Sequence, residues 1–158
     1  MATVRELPDL AATAALAAEL AGRARPGDIL ALSGDLGTGK TTFARAFIES
    51  LAQRFGTRRE EVPSPTFTLV QTYEFPGLSV WHFDLYRLTN PKDALELGVE
   101  EAFSSAISLI EWPERLGPYL PPDRLDLEFE FTDANARRVR LTGQGKWCER
   151  LDRLARHG

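Results

Sequence analysis

The chain has 158 residues, 43% of them hydrophobic, and a net charge of −4. That length predicts one domain with an ordinary core, and no apolar run nears the roughly 20 residues a membrane span needs. The acidic balance argues against a protein whose main task is gripping nucleic acid. The lone cysteine, Cys148, allows no internal disulfide, suits a reducing cytosol and is expected to be packed away. Met1-Ala2-Thr3-Val4-Arg5-Glu6-Leu7 lacks the basic start and apolar block of a signal peptide.

Taken in order, Leu7-Pro8-Asp9 reads as the entry to an alanine-rich helix reaching residue 23, with Leu16 and Leu20 on its core face. Arg25-Pro26-Gly27-Asp28 turns the chain into the apolar run Ile29-Leu30-Ala31-Leu32, a buried strand. Next come a glycine-rich loop and a second helix, in which Phe43, Phe47, Ile48, Leu51, Ala52 and Phe55 recur at helical spacing and Gly56 caps the end. Thr57-Arg58-Arg59-Glu60-Glu61 reads as a solvated connection. Two prolines keep Val62-Pro63-Ser64-Pro65-Thr66 out of helix. Phe67, Leu69, Gln71, Tyr73 and Phe75 alternate on one strand face. After Pro76-Gly77, a strand over 80–87 sends Trp81, Phe83 and Leu85 one way and His82, Asp84 and Tyr86 the other. A helix follows over 92–97, stopped by Gly98, then a short helix over 99–103 and a buried strand over 106–110 that runs into Glu111-Trp112-Pro113. Residues 118–122 read as loop. Leu125, Leu127, Phe129 and Phe131 alternate, and Val139 and Leu141 alternate on the return, which predicts a second hairpin. Lys146 opens a closing amphipathic helix.

Gly34-Asp35-Leu36-Gly37-Thr38-Gly39-Lys40-Thr41 fits the phosphate-binding pattern G-x-x-x-x-G-K-[ST], with strand before and helix after. Glycines let successive backbone N–H groups turn inward around phosphate oxygens, and the following helix start favours an anion. The nucleotide-binding set is therefore Asp35, Gly37, Thr38, Gly39, Lys40, Thr41 and Thr42. Lys40 meets the β- and γ-phosphates, and Thr41 is placed to ligate magnesium. Such a loop needs a nearby acid at the end of a buried strand, and Glu111 stands there as metal-serving carboxylate. Asp84 is the second acid, either positioning the attacking water or binding magnesium through water, with an ion pair to Arg87 or a solvated strand face as the alternatives. Ser64-Pro65-Thr66 is either a γ-phosphate-sensing loop or a rigid one. Trp112 either covers the nucleotide or a partner, or packs. Among Arg137, Arg138 and Arg140 one could reach the nucleotide, with Arg138 taken as the contact, and an exposed basic face is the alternative.

Four stretches together resemble the bacterial threonylcarbamoyladenosine biosynthesis ATPase family, TsaE (also called YjeE). They are the loop with its flanks Ser33 and Thr42, Ser64-Pro65-Thr66-Phe67, His82-Phe83-Asp84-Leu85-Tyr86-Arg87 and Leu109-Ile110-Glu111-Trp112-Pro113-Glu114-Arg115. The loop is common to many NTPases, whereas the second pair of stretches is far more specific. The resemblance implies an α/β fold of P-loop NTPase type, three layers around a largely parallel sheet with antiparallel edge strands and hairpins. It implies ATP and magnesium as ligands and a cytoplasmic ATPase with Lys40, Asp84 and Glu111 as catalytic residues and Thr41 and Glu111 at the metal. The implied partners are TsaB and TsaD, which transfer a threonylcarbamoyl group to an adenosine beside the tRNA anticodon. The ATPase resets that complex and meets tRNA only through it. A small-molecule kinase is the rival reading; its arginine lid would have to come from Arg124, Arg137, Arg138 and Arg140.

Overall fold

The computed structural model describes residues 2–56, 69–132 and 136–157. The expectations for residues 57–61, for Ser64-Pro65-Thr66 and for Phe67 lie outside them.

A seven-stranded sheet is the frame. Its strands are β1 (Ala2–Leu7), β2 (Ile29–Ser33), β3 (Val70–Phe75), β4 (Leu78–Asp84), β5 (Ile107–Glu111), β6 (Leu125–Phe131) and β7 (Arg137–Gly143). They stand in the order β1-β7-β6-β2-β5-β4-β3. The pairings β6–β2, β2–β5 and β5–β4 are parallel; β1–β7, β7–β6 and β4–β3 are antiparallel. The largely parallel sheet expected above is thus confined to the four central strands. The two hairpins and the N-terminal edge strand make the antiparallel part equally large, because short connections can join only antiparallel neighbours.

The helices α1 (Leu10–Ala21), α2 (Lys40–Arg54), α3 (Val99–Ser105) and α4 (Trp147–His157) cover the sheet on two sides, together with 3-10 helices over Pro91–Leu97 and Pro113–Tyr119. One core joins Leu16 and Leu20 of α1, Phe43 and Phe47 of α2 and Trp147 and Leu151 of α4 to Leu30, Leu32, Leu109 and Leu127 of the sheet. The other joins Ile29, Phe83 and Ile110 on the opposite face to Val99 and Ala102 of α3 and to Leu116. Strand alternation therefore gives the three expected layers. Among the described residues no helix is long and apolar enough to cross a membrane.

Several local expectations change. The Leu7-Pro8-Asp9 entry is half strand: β1 ends at Leu7, and Asp9 is the N-cap of α1, its Oδ1 accepting the Ala12 N–H at 2.9 Å. The strand expected over 80–87 stops at Asp84. Leu69 leaves the face shared by Gln71, Tyr73 and Phe75, because its φ of +68° turns it toward the second core. A 3-10 helix over Pro113–Tyr119 replaces part of the expected loop. Phe131 is exposed although Leu125, Leu127 and Phe129 are buried. Cys148 is exposed as well. The inward positions of α4 are Trp147, Leu151 and Leu154, at i, i+4 and i+7, which turns position 148 outward.

Phe47 is wholly buried between helix and sheet, so Phe47→Ala is expected to cost about 3–5 kcal/mol, whereas removing the α1 cap with Asp9→Ala is expected to cost about 1 kcal/mol. Urea unfolding of the two variants checks both the order and the gap.

Candidate functional site

The site lies where the parallel strands end. β2 runs buried between β5 and β6, so its C-terminal end delivers the chain to the middle of the sheet edge. Gly34 begins the loop at φ +133°, where a Cβ would collide with the Phe129 carbonyl and sit 2.8 Å from Thr38 Oγ1. Only glycine allows that approach. The Thr38 hydroxyl donates to the Asp35 carbonyl at 2.6 Å and braces the loop from inside. α2 then starts at Lys40 behind Gly39, with no side chain capping its first turn. Its leading N–H groups and the positive end of its dipole are left for an anion.

Lys40 is only 4% exposed. Its ammonium donates to the carbonyls of Gly34 and Asp35 and stands 3.7 Å from the centre of the Trp112 ring. Burial lowers its pKa from the usual lysine value, against the opposing pull of Glu111, Glu114, Asp84 and Asp35. The loop carbonyls and the indole face thus hold a cation for which no carboxylate closes to ion-pair distance among the described residues.

Glu111 ends β5 level with Leu32 of β2 and Asp84 of β4. Even residues of β4 and odd residues of β5 share the α2 side of the sheet, so His82, Asp84 and Glu111 all stand under the start of α2. Glu111 is 2% exposed and both its oxygens are engaged. Oε1 accepts from the Thr41 hydroxyl at 2.7 Å, and Oε2 lies 2.7 Å from His82 Nε2. A carboxylate can only accept, so Nε2 is the donor; Nδ1 is buried without a partner among the described residues. Asp84 is also buried, and its Oδ1 accepts the Tyr86 N–H at 3.1 Å. Trp112 adopts a left-handed φ of +60°, which seats its ring over Lys40 and 5.0 Å from the Tyr86 ring. A tryptophan pays for that conformation with backbone strain, of the kind found at ligand clamps.

These groups line a cavity of about 310 Å³ that holds Gly37, Gly39, Lys40, Thr41 and Thr42 on one wall and Asp84, Tyr86, Arg87, Glu111 and Trp112 on the other. The sequence-derived set therefore converges with three exceptions. Thr38 is buried behind the loop and does not line the cavity. Asp35 is exposed and turns only its carbonyl inward, to Thr38 and Lys40. Arg138 does not reach the loop: it is paired with Glu6 at 2.8 Å and Glu130 at 3.6 Å across β1–β7–β6. Arg137, one residue away and on the other face of β7, donates to the Gly37 carbonyl at 3.1 Å. Its side chain also borders Gly39. His82 is not among the sequence-derived site residues. Its spacing of two from Asp84 is the available signal, but only the register of β4 with β5 brings it to Glu111.

Comparison with known proteins shows the family. The family model described as threonylcarbamoyl adenosine biosynthesis protein TsaE matches residues 7–139. A Rickettsia felis protein named tRNA threonylcarbamoyladenosine biosynthesis protein TsaE is 42% identical over 125 residues, 79% of this chain and 71% of its own length. The Bacillus subtilis protein of the same name is 37% identical over 147 residues, 92% of this chain and 89% of its own. The crystal structure of Bacillus subtilis YdiB superposes with a TM-score of 0.80 at 31% identity, covering 99% of this chain and 96% of that one.

The lowered pKa of Lys40 gives a test of the site's cost. Between its folded pKa and 10.5 the unfolded chain binds more protons than the folded one, so this group makes stability rise with pH. Below that window its burial is a standing penalty. Lys40→Met is expected to leave the ligand-free protein at least as stable as the parent at pH 7, with the difference shrinking toward pH 10. Urea midpoints at the two pH values check the sign.

Proposed function

Because this chain belongs to the TsaE family of threonylcarbamoyl adenosine biosynthesis proteins, we propose that it is the magnesium-dependent ATPase of the system that installs threonylcarbamoyladenosine in tRNA. In this reading it hydrolyses ATP to reset a TsaB–TsaD complex between turnovers and does not itself transfer the group. The observation that carries it is the buried line Thr41–Glu111–His82, which meets the uncapped start of α2 beside Lys40 and opposite Asp84.

The donor set fits the ligands. Thr41 Oγ1 and the Glu111 carboxylate are hard oxygen donors, and among the described residues no group of three or more His, Cys, Asp or Glu could hold a metal by itself. That is the pattern expected where magnesium is shared with substrate phosphates and water. When bound, magnesium neutralises charge on the phosphate oxygens and orients them.

The chain's own residues do the rest. Lys40 exchanges its loop carbonyls for β- and γ-phosphate oxygens, and the N–H groups of Gly37, Gly39, Lys40 and Thr41 wrap the phosphates. His82 keeps the Glu111 carboxylate in one orientation. Asp84 holds the attacking water and takes its proton as the new P–O bond forms. The bridging bond to the β-phosphate then breaks, releasing ADP and phosphate. Trp112 and Tyr86 shield the cavity on the strand side. Among the described residues the kinase alternative finds no lid: Arg124 is bound to Asp126 and the Pro121 carbonyl at the start of β6, the opposite end of the strands from the loop, and of the described hairpin arginines named above only Arg137 contacts the loop.

Steady-state ATP hydrolysis tests the proposal, measured alone and with purified TsaB–TsaD, with Lys40→Ala as blank. A slow basal rate that rises with the pair is expected; a rate indifferent to the pair but raised by a small metabolite would move the assignment to a kinase. Asp84→Asn is expected to lower kcat by about 10²–10⁴-fold while ATP still binds, and full turnover in that variant would remove Asp84 from the mechanism.

A further inference from the structure

At the end of the central strands opposite the loop, a second cavity of about 290 Å³ opens between the segment entering β2 and helix α4. Its lining is rich in guanidinium groups: Arg23 and Arg25 from the turn, Arg150 and Arg153 from the helix, with Trp147 and Leu154 behind them. Arg150 is fixed. It grips Asp28 with two bonds, at 2.7 and 2.8 Å, donates to the Arg23 carbonyl at 2.8 Å and lies 3.8 Å from the centre of the buried Trp147 ring. Arg153 is offset by Glu149 at 2.7 Å. Arg23 and Arg25 have no carboxylate partner among the described residues. Two uncompensated guanidiniums thus share one concave wall with a third that is held rigid, on a chain whose net charge is −4.

We propose that this cavity binds a phosphate group. Guanidinium forks match phosphate oxygens in geometry, and a rigid member lowers the ordering cost of binding. Trp147 is buried under Arg150, so no open ring is offered to a base. Recognition is therefore of the phosphate and not of a nucleobase. The phosphate can come from a small phosphorylated solute or from an RNA backbone.

Calorimetric titration of the intact chain with inorganic pyrophosphate, at low salt, tests this. Arg23→Glu/Arg25→Glu is expected to weaken one class of sites at least tenfold while leaving ATP hydrolysis unchanged. Lys40→Ala acts only on the loop, so the two sites are read separately even if the loop's assignment is wrong. Arg23→Lys/Arg25→Lys keeps the charge and is expected to retain measurable binding, which guards against a folding defect. A short RNA oligonucleotide then separates the sources. Competition with pyrophosphate that falls roughly sevenfold between 50 and 200 mM salt, as neutralising two phosphates predicts, assigns a polynucleotide backbone; pyrophosphate binding without competition assigns a small solute. Pyrophosphate binding identical in the parent and in Arg23→Glu/Arg25→Glu overturns the proposal.

Discussion

One carboxylate ties the molecule's chemistry to its architecture. Glu111 is buried at the end of β5, and both of its oxygens are spent, one on the first turn of α2 and one on β4. A carboxylate this deep is tolerable only while those two donors remain in place. The register that sets Leu32, Glu111 and Asp84 level across three parallel strands is therefore also the condition for keeping this carboxyl group partnered inside the protein. The backbone continues the same join past the strand ends, with Leu85 N–H donating to the Glu111 carbonyl and Trp112 N–H to that of Leu32.

The site concentrates features that oppose folding. A lysine held in the cavity and a buried imidazole nitrogen, the first without an ion pair and the second without a partner among the described residues, sit with a tryptophan in left-handed backbone at one end of the parallel strands. The two hydrophobic cores on either face carry that load. The division is economical: Phe43, Phe47 and Leu51 anchor α2 by its buried side, while its first turn keeps polar groups directed at the cavity.

Much of this was legible in the residues themselves. An apolar run ending in a glycine pattern fixes both β2 and the loop, because strand, turn and helix chemistry agree there. Glu111 stood out because an acid directly after Ile-Ser-Leu-Ile has nowhere to hide. What was not legible depended on partners distant in sequence. β1 has only one buried residue, Leu7, so its pattern carries no strand signal until β7 is beside it. Arg137 and Arg138 are neighbours with the same chemistry, and the pleat alone decides that the first meets the loop and the second meets Glu6. Leu69 broke its strand's alternation through a single positive φ that composition does not announce.

The strand order carries a consequence for how the chain is made. β2 is finished at Ser33, yet its two neighbours are residues 107–111 and 125–131. At a synthesis rate of about 5–20 residues per second, the strand waits roughly 5–20 s for its second edge. Its Leu30 and Leu32 side gains shelter early, since α1 and α2 flank it in sequence and belong to the same core. Its Ile29 side belongs to the other core, whose next members in sequence among the described residues begin at Leu69 and Val70, well beyond α2. A nascent chain stalled directly after α2 would thus present an apolar strand bare along both edges and one face, a form open to capture by another chain.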